Sequence, residues 1–157
     1  MIPRSLLCAL LASAASGAMA AESAPGSAAL AVLGKSWPAV VWNAQSVVAA
    51  DIRCTGGRDH LALGRGKDGQ AWVGLVARGA RPMALRFPVG TEAQNAFCTA
   101  PVRIVVTPQT CRDAAGDKLA GCRPVRGCAV FAVEDDSCDA IRFYWDATSK
   151  TLRWWRT

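Results

Sequence analysis

From Trp37 onward the chain alternates short apolar runs with clusters of Gly, Pro, Asp and Ser. The clearest run, Ala71 to Ala77, sets Ala71, Val73, Leu75 and Ala77 on one side and Trp72, Gly74 and Val76 on the other, which is strand period and not helix period. Trp37 to Trp42 and Ser46 to Ile52 read as two strands split by Asn43-Ala44-Gln45, and His60 to Gly64 as a third. That third strand ends in a turn from Gly64 to Gly69, where Asp68-Gly69 is a hairpin signal. Met83 to Val89 is a strand with Pro88 marking its end or a sheet edge, Val102 to Thr107 is a buried strand by composition, and Cys128 to Val133 is a further strand. Thr91 with Gln94 three residues on resembles a capping box, so Glu92 to Cys98 is the one helix the pattern predicts. The fold expected is all-β, a single disulfide-stapled β-sandwich or small barrel of about eight short antiparallel strands. No repeat at a fixed period appears, which counts against a propeller.

The last stretch, Ala140 to Arg156, carries the densest side-chain information. A four-residue loop from Ala147 to Lys150 sets Trp145 opposite Leu152, Tyr144 opposite Arg153, Phe143 opposite Trp154 and Arg142 opposite Trp155. In that register Ile141, Phe143, Trp145, Leu152 and Trp154 share a core face, and Arg142, Tyr144, Arg153 and Trp155 share the other. Cross-strand pairs of this kind stabilise a hairpin by roughly 0.2 to 1 kcal/mol each. The same residue types are enriched at protein binding hot spots and stack on sugars, so Arg142, Tyr144, Arg153 and Trp155 are the candidate binding surface.

Residues 1 to 20 have the form of a cleaved signal peptide: Arg4, an apolar run from Leu6 to Ala15, and Ala18-Met19-Ala20 as a small-x-small site. The run is too short for a bilayer-spanning helix, which needs about 20 apolar residues. Residues 21 to 36 read as a flexible tether of Ala, Ser, Gly and Pro, and 37 to 157 as a single β domain. Export places the protein in the periplasm or outside the cell. Without Arg4 the balance is 17 basic against 12 acidic residues, or +5, with arginine dominating the excess. Such a charge favours acidic envelope surfaces or partners, and the export signal argues against nucleic acid.

Loss of Cys8 with the signal leaves Cys54, Cys98, Cys111, Cys122, Cys128 and Cys138, an even set that in an exported chain forms a disulfide framework. No pair is C-x-x-C and His60 is the sole histidine, so zinc spacing is missing. Of the fifteen connectivities open to six cysteines, the short-loop pairs Cys111 with Cys122 and Cys128 with Cys138 are expected, leaving Cys54 with Cys98. The loop from Pro108 to Gly127 is long enough to be functional or stapled, and the Cys111 to Cys122 pair would staple it.

Between two apolar runs, Asp51, Arg53, Thr55, Gly56 and Asp59 form a compact polar loop. The spacing resembles the aspartate loop of FG-GAP and VCBS-type calcium repeats, D-x-D-x-D-G-x-x-D before a Leu-Ala run. The resemblance covers about a tenth of the chain and implies calcium held by oxygen ligands from Asp51, Thr55 and Asp59. Arg53 departs from the pattern by placing a cation where a ligand belongs, so a guanidinium or backbone hydrogen bonds are expected to hold the loop instead. The acidic turn Glu134, Asp135, Asp136 and Asp139 is an independent candidate for calcium, or a solvated turn.

His60 has no Ser or Cys beside it in a nucleophile pattern, and nothing selects a pair of carboxylates, so no enzyme is expected. The function expected is a non-enzymatic exported binding protein without a cofactor, acting on an envelope protein as an inhibitor or immunity-type factor. A cell-wall glycan or anionic-envelope binding module and a calcium-stabilised structural module are the alternatives.

Overall fold

The computed structural model describes residues 25–91 and 93–156; the expected signal peptide lies outside them. Two consecutive antiparallel meanders account for most of the chain. The first sheet contains β1 (Val40–Trp42), β2 (Val48–Ala50), β3 (Asp59–Gly66), β4 (Ala71–Val76) and β5 (Met83–Phe87). The second contains β6 (Arg103–Pro108), β7 (Ala129–Glu134), β8 (Ile141–Asp146) and β9 (Thr151–Arg156), in chain order. The chain is therefore all-β, with one α-helix and three disulfides among the described residues.

β1 and β2 are two pieces of one edge. β1 pairs with Gly64 to Gly66 of β3 and β2 with Asp59 to Leu61, separated by a 3-10 turn over Ala44–Ser46. At the break the buried Ser46 hydroxyl accepts from the Leu63 N–H at 2.8 Å, replacing the missing ladder partner.

The two sheets face each other across one core. Leu61, Leu63, Val73, Leu75 and Phe87 come from the first sheet; Phe131, Val133, Ile141, Phe143 and Leu152 come from the second. Phe131 stacks on Phe143 at 4.7 Å, and Phe87 meets Phe143 edge-on at 5.7 Å, joining the sheets through rings. Each such phenylalanine stabilises the fold by about 1.5 to 3 kcal/mol through burial.

The expected tether is corrected over most of its length: Pro25–Ser36 is an α-helix, α1, laid on the outer face of the first sheet. Ala29 and Leu33, one turn apart, are buried, and Leu33 is fully so. The close approach depends on Gly74, where a Cβ would lie 2.9 Å from both Leu33 methyls and 2.8 Å from the Trp42 ring. Beside the helix, Trp37 contacts Trp42 and Trp72 at centroid distances of 6.2 and 6.3 Å.

The expected helix from Glu92 to Cys98 is also corrected. Glu92 lies outside the described residues, and the segment after it is irregular. The Thr91 hydroxyl accepts from the Ala93 N–H, but Ala96 and Phe97 then enter the core, with Phe97 bonded to Pro88 and Gly90. Burial of that ring prevails over the local cap signal.

Of the expected disulfides, Cys111–Cys122 is present and the other two are exchanged: Cys54 pairs with Cys128 and Cys98 with Cys138. The physical reason is the sandwich itself. It brings the β2–β3 loop against the start of β7, where the Ala129 N–H also donates to the Asp51 carbonyl at 2.9 Å. Cys54–Cys128 thus links the two sheets, and Cys98–Cys138 ties the β5–β6 segment to the β7–β8 turn. Bridges that close long loops remove about 3 to 5 kcal/mol of unfolded-chain entropy in the chain-entropy account.

Candidate functional site

The β8–β9 register is the one expected from the sequence, pairing Arg142 with Trp155 and Tyr144 with Arg153. What the sequence does not show is the segment lying over this face. Residues 109 to 127 form an ordered flap, closed by Cys111–Cys122 and by an antiparallel bridge between Arg112 and Lys118. Asp113 caps its tip, accepting from the Asp117 N–H at 2.9 Å.

Three contacts fasten the flap to the hairpin. The Tyr144 hydroxyl donates to the Ala120 carbonyl at 3.0 Å, and the Ala147 N–H donates to the Gly121 carbonyl at 3.0 Å. Gly121 has φ 72° and lies against the Asp146 carboxylate so closely that a Cβ would overlap it. Asp146 in turn accepts from the Thr148 and Ser149 N–H groups at 2.8 and 3.0 Å and from Arg153 Nε at 3.1 Å. The Ser149 backbone and hydroxyl, with burial opposing, hold its carboxyl down at about 2, aided by Thr148 and Arg153.

The four expected surface residues therefore separate. Tyr144 is buried under the flap, and that burial raises its phenol above the usual range. Arg153 is engaged by Asp146. Trp155 is half-buried with its ring 5.6 Å from Tyr144, and Arg142 is exposed. Ring-on-ring contact, not cation over ring, organises the face.

Arg142 and Trp155 instead form the floor of a groove of about 490 Å³, together with Val130 and Pro108. Arg112 and Leu119 of the flap form its wall. The Arg142 side chain makes no ion pair or hydrogen bond with any described residue. The Trp155 indole N–H is buried without an acceptor. A buried donor left without an acceptor costs about 1 to 3 kcal/mol; this nitrogen is closed off from solvent, as are those of Trp42 and Trp72, so the donor that faces the groove is the Arg142 guanidinium. The one acid on the rim, Asp113, is the residue that caps the flap tip.

The β2–β3 loop has different chemistry from the groove. Asp51 accepts from the Thr55 and Gly56 N–H groups at 2.9 and 2.8 Å. Asp59, almost fully buried, accepts from the Ile52 and Arg53 N–H groups on Oδ2 and from Arg53 Nε on Oδ1 at 3.0 Å. Thr55 contributes its N–H to this network. Every carboxylate oxygen of the loop is occupied by a donor, and a guanidinium adjoins Asp59. This set does not fit a calcium ion, which needs several free oxygens around one point.

The acidic turn is solvated at Asp136 and Asp139 but not at Asp135. Asp135 is 3 % exposed and accepts from four backbone N–H groups, those of Cys98, Thr99, Ser137 and Cys138, at 2.6 to 3.2 Å. Burial raises its carboxyl, and the donors of Cys138, Ser137, Thr99 and Cys98 outweigh that, holding it below its ordinary value. Arg103 engages both neighbours, Glu134 at 2.6 Å and Asp136 at 2.9 Å.

No family model, curated protein or solved structure matches the chain. Among the described residues no helix is long and apolar enough to cross a membrane. Three disulfides are the chemistry of an oxidising compartment.

Proposed function

We propose that this chain is a non-enzymatic binding protein of the periplasm or the extracellular space. Its groove holds an acidic, acceptor-rich segment of an envelope protein, in the manner of an inhibitor or immunity factor. The observation that carries this reading is an exposed Arg142 guanidinium without a protein partner on the groove floor, beside the half-buried Trp155 ring. Carboxylates and carbonyls of an extended segment supply the missing acceptors, and Val130, Pro108 and Leu119 receive its apolar side chains. The stapled flap makes the groove rigid before the partner arrives, which reduces the ordering cost of binding.

A benzophenone side chain placed at Ala114, on the groove rim, tests the reading. Irradiation in an envelope extract is expected to give one discrete protein adduct, absent when the same probe replaces Val41, which is exposed on the opposite sheet. Equal adducts from both positions, or none from Ala114, would count against the groove. Adducts to murein fragments alone would replace the protein partner with a glycan.

A further inference from the structure

A second recess lies at the end of the sandwich where the β2–β3 loop, the β4–β5 turn and the β8–β9 turn meet. It measures about 280 Å³, near the lower end of small-molecule sites at roughly 300 Å³. Its interior is apolar, formed by Leu75, Met83 and Trp145, and its charged lining is wholly cationic: Arg53, Arg81 and Lys150. Arg81 and Lys150 have no ion pair or hydrogen bond among the described residues.

Arg53 differs from these two because it is held in place. Its side chain is 17 % exposed, and Asp59 fixes its Nε while no described residue engages either Nη. A guanidinium anchored through Nε keeps an outer edge that suits a carboxylate. Lys150 stands at a left-handed turn position, φ 53°, which glycine fills without steric cost. The β8–β9 turn thus puts a long cationic side chain at the recess in a backbone conformation that disfavours one.

We infer that this recess binds a small carboxylate with an apolar body, such as a short fatty acid, its carboxylate on Arg53, Arg81 and Lys150 and its chain against Leu75, Met83 and Trp145. The β2–β3 loop, whose spacing resembles a calcium loop, then serves the opposite charge: its aspartate positions a cation that receives an anion. This inference stands apart from the groove, which lies on the outer face of the second sheet.

Calorimetric titration of the oxidised protein with octanoate tests it, with 1-octanol and acetate as controls for charge and for the apolar body. Octanoate is expected to bind saturably at one site. Octanol, acetate and the variant Arg81→Gln/Lys150→Gln are each expected to weaken binding by about tenfold or more, the size of a lost charge-assisted contact. Both substituted residues are free of structural pairing, so the variant should melt with the parent protein. Arg142→Ala/Trp155→Ala should bind octanoate unchanged. Absence of saturable octanoate binding, or equal binding by octanol or by the charge-neutralised variant, overturns the inference.

Discussion

At the scale of single residues, aspartates organise this protein's loops. Asp51, Asp59, Asp135 and Asp146 each accept backbone N–H groups from a turn that has no ladder partner of its own. Asp135 is the most consequential, because two of its four donors are the N–H groups of the disulfide partners Cys98 and Cys138. Asp135→Ala leaves those half-buried donors without their acceptor, and is expected to destabilise the oxidised protein by roughly 2 kcal/mol in urea unfolding. A loss within about 0.5 kcal/mol, typical of surface sites, would show that the turn holds without it.

The same chemistry sets a pH dependence. Asp135 and Asp146 both have folded carboxyls below the ordinary 3.8, Asp146 at about 2. Groups depressed on folding contribute stability that is fully present above the unfolded value and lost as pH falls through the folded one. Unfolding midpoints are therefore expected to decline from about pH 4 toward about pH 2, with Asp146→Asn removing part of that slope. An unchanged slope in the variant would mean that other carboxyls carry it. Part of this was legible: Asp followed two or three residues on by Ser or Thr is the signature of a side chain accepting from the following N–H groups, and both 135–137 and 146–149 carry it. The burial of Asp135 was not, because two of its donors come from residues 98 and 99, across the molecule.

At the scale of elements, patterns with a definite period were readable and patterns set by contact were not. The β8–β9 register follows from alternation plus a four-residue loop, and all four expected pairs are found. The break between β1 and β2 was likewise visible as Asn43-Ala44-Gln45, and Asn43 caps the turn there by accepting from the Gln45 N–H. Helix α1 was missed because its buried stripe consists of Ala29 and Leu33 in a run of small residues, a pattern that composition alone reads as a tether. Its close approach to the sheet comes from Gly74, on a strand far along the chain, where a Cβ would meet Leu33. Leu33→Ala is expected to cost about 2 to 4 kcal/mol, while Val32→Ala, one residue away and exposed, should stay within about 0.5 kcal/mol. Equal small effects in denaturant melts would show that the helix is not part of the domain. The groove escaped the sequence for a related reason. Arg142 and Trp155 were visible as an outward pair, but Arg112 and Leu119 join them only because the 109–127 flap folds back on the sheet.

At the scale of the whole molecule, two meanders share one core and two of the three bridges join segments that the chain order keeps apart. Loop length identified Cys111–Cys122, which is local, and failed for the pairs separated by 74 and 40 residues, which depend on how the sheets face each other. The β2–β3 loop that resembles a calcium site is closed by N–H donors and a guanidinium, so neither added calcium nor chelator is expected to move the melting temperature. A calcium-dependent rise would require Asp59 to release Arg53. The net charge, +6 over the full chain and +5 without the expected signal, gives the surface a general attraction for acidic partners, while the groove gives it a place to hold one.

The most direct measurement is affinity capture by the oxidised protein from an envelope extract and from purified sacculi in parallel, beside Arg142→Ala/Trp155→Ala and Arg81→Gln/Lys150→Gln. A stoichiometric protein band is expected with the parent chain and the recess variant, and its loss is expected with the groove variant. A band retained by the groove variant, or retention on sacculi alone, would contradict the proposed function.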